Sequence, residues 1–204
     1  MKRPLFLYDI ASVYAWLAAE RIEALLPEAE WRPILLGGLF AMNGRHSWLL
    51  DPGAGERFAE VGRRAEAYGL PQPAAPAAAA RSPSEWPPVA RPRDWLRVMR
   101  AATVARREGN AVDFALAAFR ATHVEGRDLT GRDELASVLS GTGLDADHVL
   151  AATDRQDVKD ELRAITETAH ARGVPGVPTV IVGEQVFWGD DRLEDAVAAA
   201  ASNV

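Results

Sequence analysis

Ser12, in the run Asp9-Ile10-Ala11-Ser12-Val13-Tyr14-Ala15-Trp16-Leu17, stands directly before residues that recur at helical spacing. A side chain at a helix start lies beside unpaired backbone N–H groups and the positive end of the helix dipole, so an anion held there is stabilised. A thiolate is such an anion. A serine hydroxyl bonded to it lowers the thiol pKa toward neutrality, as nucleophilic sulfur chemistry requires. The plainer alternative is that Ser12 is only the N-cap, a position where serine is among the commonest residues. The sequence has no cysteine, which excludes disulfides, thiolate metal sites and a cysteine nucleophile in this chain. Any thiol has to be brought in.

Two further runs have chemical potential. In Gly173-Val174-Pro175-Gly176-Val177-Pro178-Thr179 a proline opens a β-branched stretch, a position at odds with an ordinary central strand. Either the strand simply starts there, or the Val177–Pro178 bond is cis and turns the N–H and C=O of Val177 outward to pair with an extended peptide. In Phe187-Trp188-Gly189-Asp190-Asp191-Arg192-Leu193 two carboxylates open a helix. Helix-dipole complementation explains them, and so does binding of a ligand ammonium group. His46, His123, His148 and His170 are scattered without ligand spacing, so no metal is expected. Asn43-Gly44-Arg45-His46 reads as a polar loop at a strand end, and Trp48, Trp86 and Trp95 either line an aromatic pocket or join the core.

The elements that must position these residues follow from hydrophobic period and punctuation. Residues 3–9 predict a buried strand, and Tyr14, Leu17, Ala18, Ile22 and Leu25 a helix ended by Pro27. Trp31–Leu36 predicts a second strand stopped by Gly37-Gly38. Helical patterns cover roughly 54–68, 92–108, 110–122, 131–140 and 154–171, while seven prolines between 71 and 92 predict a long loop. Residues 177–182, a Gly183-Glu184 turn and 185–188 predict a hairpin, followed by a helix from about 191 to 200. The order βαβ, helices, ββα is that of an α/β thioredoxin-like domain, residues 1–50 and 172–204, split by an all-helical insertion at 51–171 that carries the proline-rich loop 71–92.

Bulk properties narrow the partners. With 204 residues and 48% hydrophobic composition the chain can bury an ample core. A net charge of -6, from 29 acidic and 23 basic residues, supplies no basic footprint for nucleic acid or an anionic membrane. No apolar run approaches the roughly 18 residues of a membrane span. Met1-Lys2-Arg3-Pro4 leads into a mixed strand rather than a signal-peptide core, so a cytoplasmic protein with a small-molecule substrate is expected.

Taken in order, these segments resemble the 2-hydroxychromene-2-carboxylate isomerase family, which is akin to kappa-class glutathione transferases and DsbA-like thioredoxin-fold proteins. The likeness rests on Asp9 with Ser12-Val13-Tyr14, Trp31-Arg32-Pro33-Ile34-Leu35-Leu36-Gly37, Val124-Glu125-Gly126-Arg127-Asp128-Leu129, Gly173–Thr179 and Phe187–Leu193. The resemblance implies a glutathione-dependent isomerase in which Ser12 holds the thiolate of glutathione, or of another low-molecular-weight thiol. Val177 and Pro178 match the loop that pairs with the glutathione backbone. Arg45, Asp190 and Asp191 match further cofactor contacts, and Tyr14, Phe40 and Trp86 are candidates to touch substrate. A homodimer is implied as well. The sequence departs from the family pattern at Val13, where proline is usual, at Arg45, where asparagine is, at Arg93-Asp94 for Asn-Thr, and at Asp190, where an uncharged polar residue is common. A kappa-like transferase that releases the thiol adduct and a non-catalytic binding module are the alternative functions.

Overall fold

The structure is a computed structural model that describes residues 3–74 and 92–202, with the side chains of Leu50 and residues 92–94 left out. Trp86, the Arg93-Asp94 side chains and most of the proline-rich loop therefore lie outside the described residues.

Four short strands, β1 (Leu5–Tyr8), β2 (Glu30–Pro33), β3 (Thr179–Val182) and β4 (Gln185–Trp188), form one sheet in the order β2-β1-β3-β4. β1 and β2 run parallel, with Leu5 opposite Glu30, because helix α1 (Val13–Leu25) carries the chain back between them. β3 runs antiparallel to β1 with Thr179 opposite Leu7, and β4 returns antiparallel to β3 through the two-residue turn at Gly183-Glu184. Between β2 and β3 come α2 (Leu36–Met42), a 3₁₀ turn at Trp48–Leu50, α3 (Ala54–Ala67), α4 (Pro92–Arg107), α5 (Ala111–His123), α6 (Arg132–Gly141), α7 (Ala146–Ala152) and α8 (Gln156–Ala171). A 3₁₀ turn at Asp190–Arg192 and α9 (Leu193–Ser202) close the described chain. This is the expected thioredoxin-like α/β fold with helices inserted between its two halves. No described helix is long and apolar enough to cross a membrane.

α1 is the centre of the molecule. It packs against α3, α5 and α9, and Val13, Ala15, Trp16, Leu17, Ala18, Ala19 and Ile22 are all buried, while its polar residues Glu20, Arg21 and Glu23 gather in its second half. The alanines let neighbouring helices approach closely. On the sheet, Phe6 and Tyr8 meet Trp31 edge-on at 4.7 and 5.6 Å, and Tyr8 reaches Phe119 of α5 at 5.8 Å. This aromatic cluster fixes the end of β1 from which the chain turns into α1.

Two elements differ from the sequence reading. The second strand stops at Pro33, and Leu36 starts α2 with Gly37 and Gly38 inside it. The cause is remote: the Leu35 N–H donates to Thr166 Oγ1 of α8 at 3.0 Å and the Leu36 N–H to Asp9 Oδ2 at 2.8 Å. These partners take backbone donors that a longer strand would have given to its ladder. α7 has no counterpart in the sequence reading. It is two turns long and begins at Asp145, whose carboxylate accepts from the His148 N–H at 3.0 Å.

Candidate functional site

The 9–12 turn is held from four directions. Asp9 is buried, and its carboxylate accepts the Ala11 N–H at 3.0 Å and the Leu36 N–H at 2.8 Å, joining the turn to α2. The Ser12 N–H returns to the Asp9 carbonyl at 3.0 Å. The Ile10 N–H meets Met99 Sδ of α4 at 3.4 Å, and His123 Nε2 of α5 lies 2.8 Å from the Ile10 carbonyl. A carbonyl can only accept, so His123 is the Nε2–H tautomer. Burial pushes the His123 imidazole down to about 4, which keeps it neutral, and its ring stacks against Trp16 and Phe119. Burial likewise pushes the Asp9 carboxyl up to about 6, against the pull of its two N–H donors.

Ser12 caps α1. Its backbone is extended, at φ -93 and ψ 114, and Oγ accepts the Ala15 N–H at 3.2 Å. The two readings of Ser12 are therefore compatible. A hydroxyl that accepts one bond still has its own proton to donate, and the N–H groups of the first helical turn add to the field around it.

The sheet register brings the second segment to the same place. With Leu7 opposite Thr179, the residues before β3 lie beside the end of β1 that leads to Ser12. The Val177–Pro178 bond is cis. The ladder begins at Thr179, so the peptide groups of Val177 stay outside it. The Pro178 carbonyl accepts the Gly189 N–H at 3.0 Å, and Thr179 Oγ1 donates to the Gly176 carbonyl at 2.7 Å. A Cβ at Gly176 would stand 2.8 Å from Trp188 Nε1, so any larger residue there has to displace the Trp188 ring. Trp188 is 45% exposed at the end of the edge strand β4. The Arg45 guanidinium lies 5.2 Å from the Trp188 ring and 6.0 Å from that of Phe40, and donates to the Pro175 carbonyl at 3.1 Å. Arg45 and Phe40 are thus tied to the cis-proline loop.

Asp190 and Asp191 part company. Asp190 is 1% exposed; Oδ1 accepts from Arg64 Nη1 at 2.9 Å and Oδ2 from the Tyr68 hydroxyl at 3.1 Å. Burial pushes its carboxyl above the ordinary range while Arg64 and Tyr68 pull the other way. Its backbone carbonyl accepts from Arg21 Nη1 at 3.0 Å. The expectation that both carboxylates face a ligand is corrected for Asp190, whose oxygens are buried and engaged by the α3 residue Arg64 and by Tyr68 just past it. Asp191, its side chain 56% exposed, has only a 3.5 Å approach to Arg64 Nη1. Tyr14 is half-buried beneath this cluster, with Trp48 edge-on at 5.8 Å and the Arg64 guanidinium 5.8 Å from its ring.

Ser12, Tyr14, Phe40, Arg45, Val177, Pro178 and Asp191 are therefore gathered around the ends of β1, β3 and β4. Arg64 and Tyr68 carry no signal that singles them out in the sequence, His123 reads there only as one of four scattered histidines, and Gly176 and Trp188 lie within the quoted runs without being picked out as site residues. Arg64 reads there as half of an ordinary Glu60–Arg64 pair one helical turn apart, and its second partner lies 126 positions away. Two hollows on the described surface, one over α5 and α6 and one between α8 and the sheet, are elsewhere and contain none of these residues.

A thioredoxin sheet, a cis-proline turn and a capped α1 define a class. Residues 5–200 match the DSBA-like thioredoxin domain family, and the chain belongs to it. Within that family it is similar to 2-hydroxychromene-2-carboxylate isomerase. The enzyme of that name from Sphingobium xenophagum is 35% identical over 94 residues, which is 46% of this chain and 48% of that protein, so the match spans about half of each. A solved structure of a 2-hydroxychromene-2-carboxylate isomerase superposes with a TM-score of 0.81 at 21% identity, covering 98% of this chain and 95% of the other. A cytosolic disulfide reductase from Pseudomonas aeruginosa, solved with GSH, superposes at 0.62 and 17% identity over 98% of this chain and 96% of its own. At these identities the superpositions establish the fold.

Proposed function

We propose that this protein is a glutathione-dependent cis–trans isomerase acting on 2-hydroxychromene-2-carboxylate or a related intermediate of aromatic degradation. The observation that carries the reading is the Ser12 hydroxyl, which accepts from its own helix and keeps its proton for an anion, in a chain with no cysteine. When bound, the cofactor would supply a thiolate nucleophile for reversible, redox-neutral addition to a conjugated carbon–carbon bond, with no atom or electron gained or lost overall. Ser12 would donate its O–H to the sulfur and, with the first N–H groups of α1, would favour its charged form.

The residues present fit such a cofactor. Val177 presents peptide groups outside the ladder to an extended peptide backbone. Asp191 offers an exposed carboxylate to an ammonium group, and Arg45 a cation anchored on the Pro175 carbonyl. Tyr14, Phe40 and Trp188 form the aromatic side of the site, against which a planar substrate is held. Incubating the protein with the chromene carboxylate and glutathione tests the reading. The expectation is product formation at constant free thiol. Thiol loss in step with turnover would identify a transferase instead, and no turnover with no thiol binding would leave a non-catalytic module.

A further inference from the structure

We infer that the hollow between α8 and the sheet is a second small-molecule site, separate from the one around Ser12, and that it takes a compact apolar monocarboxylate about one ring in size. The inference is independent of the thiol-cofactor reading, because the hollow shares no lining residue with the site around Ser12.

Strand register and helical period build the hollow together. Leu5 stands opposite Ile181 and Leu7 opposite Arg32, so these four side chains share one face of the sheet. Phe6 and Tyr8, one residue out of step, turn to the other face and its cluster with Trp31. α8 presents Glu161, Ala164, Ile165, Thr168 and Ala169 to the first face, with Arg172 just past its end; residues three and four apart make one stripe of a helix. Three of them are small, and a space of about 170 Å3 remains between the stripe and the strands. The floor is aliphatic: Leu7 and Ile181 are each 2% exposed, and Leu5 and Ile165 are partly open to solvent.

The rim sets the charge of the ligand. Arg172 donates Nη2 to the Gly183 carbonyl and pairs with no carboxylate among the described residues, so its Nε and Nη1 are left to donate. Arg32 is bound by Glu30 through Nε and Nη2 and keeps Nη1. Glu161 is the one carboxylate of the lining, and Arg106 Nη2 and Arg107 Nε already hold it. The lining is therefore locally positive in a chain of net charge -6. A neutral hydrocarbon would gain the aliphatic floor and leave Arg172 to water, and a small polyanion would gain Arg172 and leave the floor wet. A carboxylate on an apolar body matches both, since a guanidinium anchored on one side presents its other donors in a fixed direction. Size limits the body: the hollow is well below the roughly 300–1,000 Å3 of sites that bury a drug-sized molecule.

Methyl NMR of the full chain, titrated with benzoate and separately with its uncharged isostere benzamide, tests the inference and reports where each binds. Benzoate should shift the methyl signals of Leu5, Leu7, Ile165 and Ile181 and bind about ten-fold more tightly than benzamide. Arg172→Gln should bring benzoate down to the affinity of benzamide and leave benzamide unchanged. Ala164→Leu fills the space from an exposed helical position and should abolish the shifts from both ligands; should that variant fold poorly, Thr168→Leu fills it from the next turn. Benzoate shifts confined to residues outside the hollow would overturn the inference. So would equal wild-type affinity for benzoate and benzamide, or benzoate shifts at Leu5 and Ile181 that persist in the filled variants.

Discussion

Replacing Asp9 by asparagine should make the protein relatively more stable as pH rises, because the folded chain resists ionisation of the native carboxyl. Burial lifts that carboxyl from 3.8 to about 6. Between those values the folded state holds a proton that the unfolded state has lost, so stability falls as pH rises through that window. Above it the full penalty applies, about 3 kcal/mol for a shift of about two units, of which about 2 kcal/mol falls between pH 4.5 and pH 8. An asparagine side chain cannot ionise, so the variant escapes this slope. It also cannot accept both N–H groups as the carboxylate does, which costs about 1–3 kcal/mol at every pH. The absolute difference therefore mixes two effects, but its pH dependence isolates one. Urea denaturation of both proteins from pH 4.5 to pH 8 should show the asparagine variant gaining about 2 kcal/mol on the wild type across the range. The variant should also lose turnover, since the Leu36 N–H bond that holds the Ser12 turn to α2 is weakened. A difference independent of pH would refute the argument that Asp9 is held in a medium hostile to its charge.

Three other perturbations follow from the same geometry. His123→Phe keeps the stacking on Trp16 and Phe119 but loses the bond to the Ile10 carbonyl; because the folded imidazole titrates only near 4, its contribution to stability falls as pH drops from 6.5 toward 4, opposite to that of Asp9, and chemical denaturation should show the variant gaining on the wild type across that window. Gly176→Ala places a methyl group 2.8 Å from Trp188 Nε1, so Trp188 must swing outward and loosen its contact with Arg45; a red-shifted indole fluorescence and weaker glutathione binding are expected, and an unchanged spectrum would refute the contact. Asp190→Asn should cost about 2 kcal/mol by urea denaturation, less than a fully buried pair because Arg64 reaches solvent.

Much of this architecture is legible in residue order. β1, α1 and the terminal hairpin are announced by apolar period and by Gly183-Glu184, and the proline at 178 marks a place where a strand cannot run normally. What is not legible is decided at long range. Gly37-Gly38 looks like a stop, yet α2 runs through it because Asp9 and Thr166 take the preceding N–H groups. Asp190 and Asp191 look equivalent in sequence, and only Arg64 and Tyr68, more than a hundred residues away, bury one and leave the other to solvent. His123 gives no spacing signal because its partner is a backbone carbonyl.

The role proposed for Ser12 is to lower the pKa of a thiol it does not itself supply. An ultraviolet titration of thiolate absorbance for glutathione bound to the wild type and to Ser12→Ala measures this directly. The alanine variant should remain folded, since loss of a cap costs about 1 kcal/mol. In the wild type the bound thiol should ionise well below free glutathione, and in the variant it should return toward the free value. The same thiol pKa in both proteins would contradict the proposal and leave Ser12 as a helix cap alone.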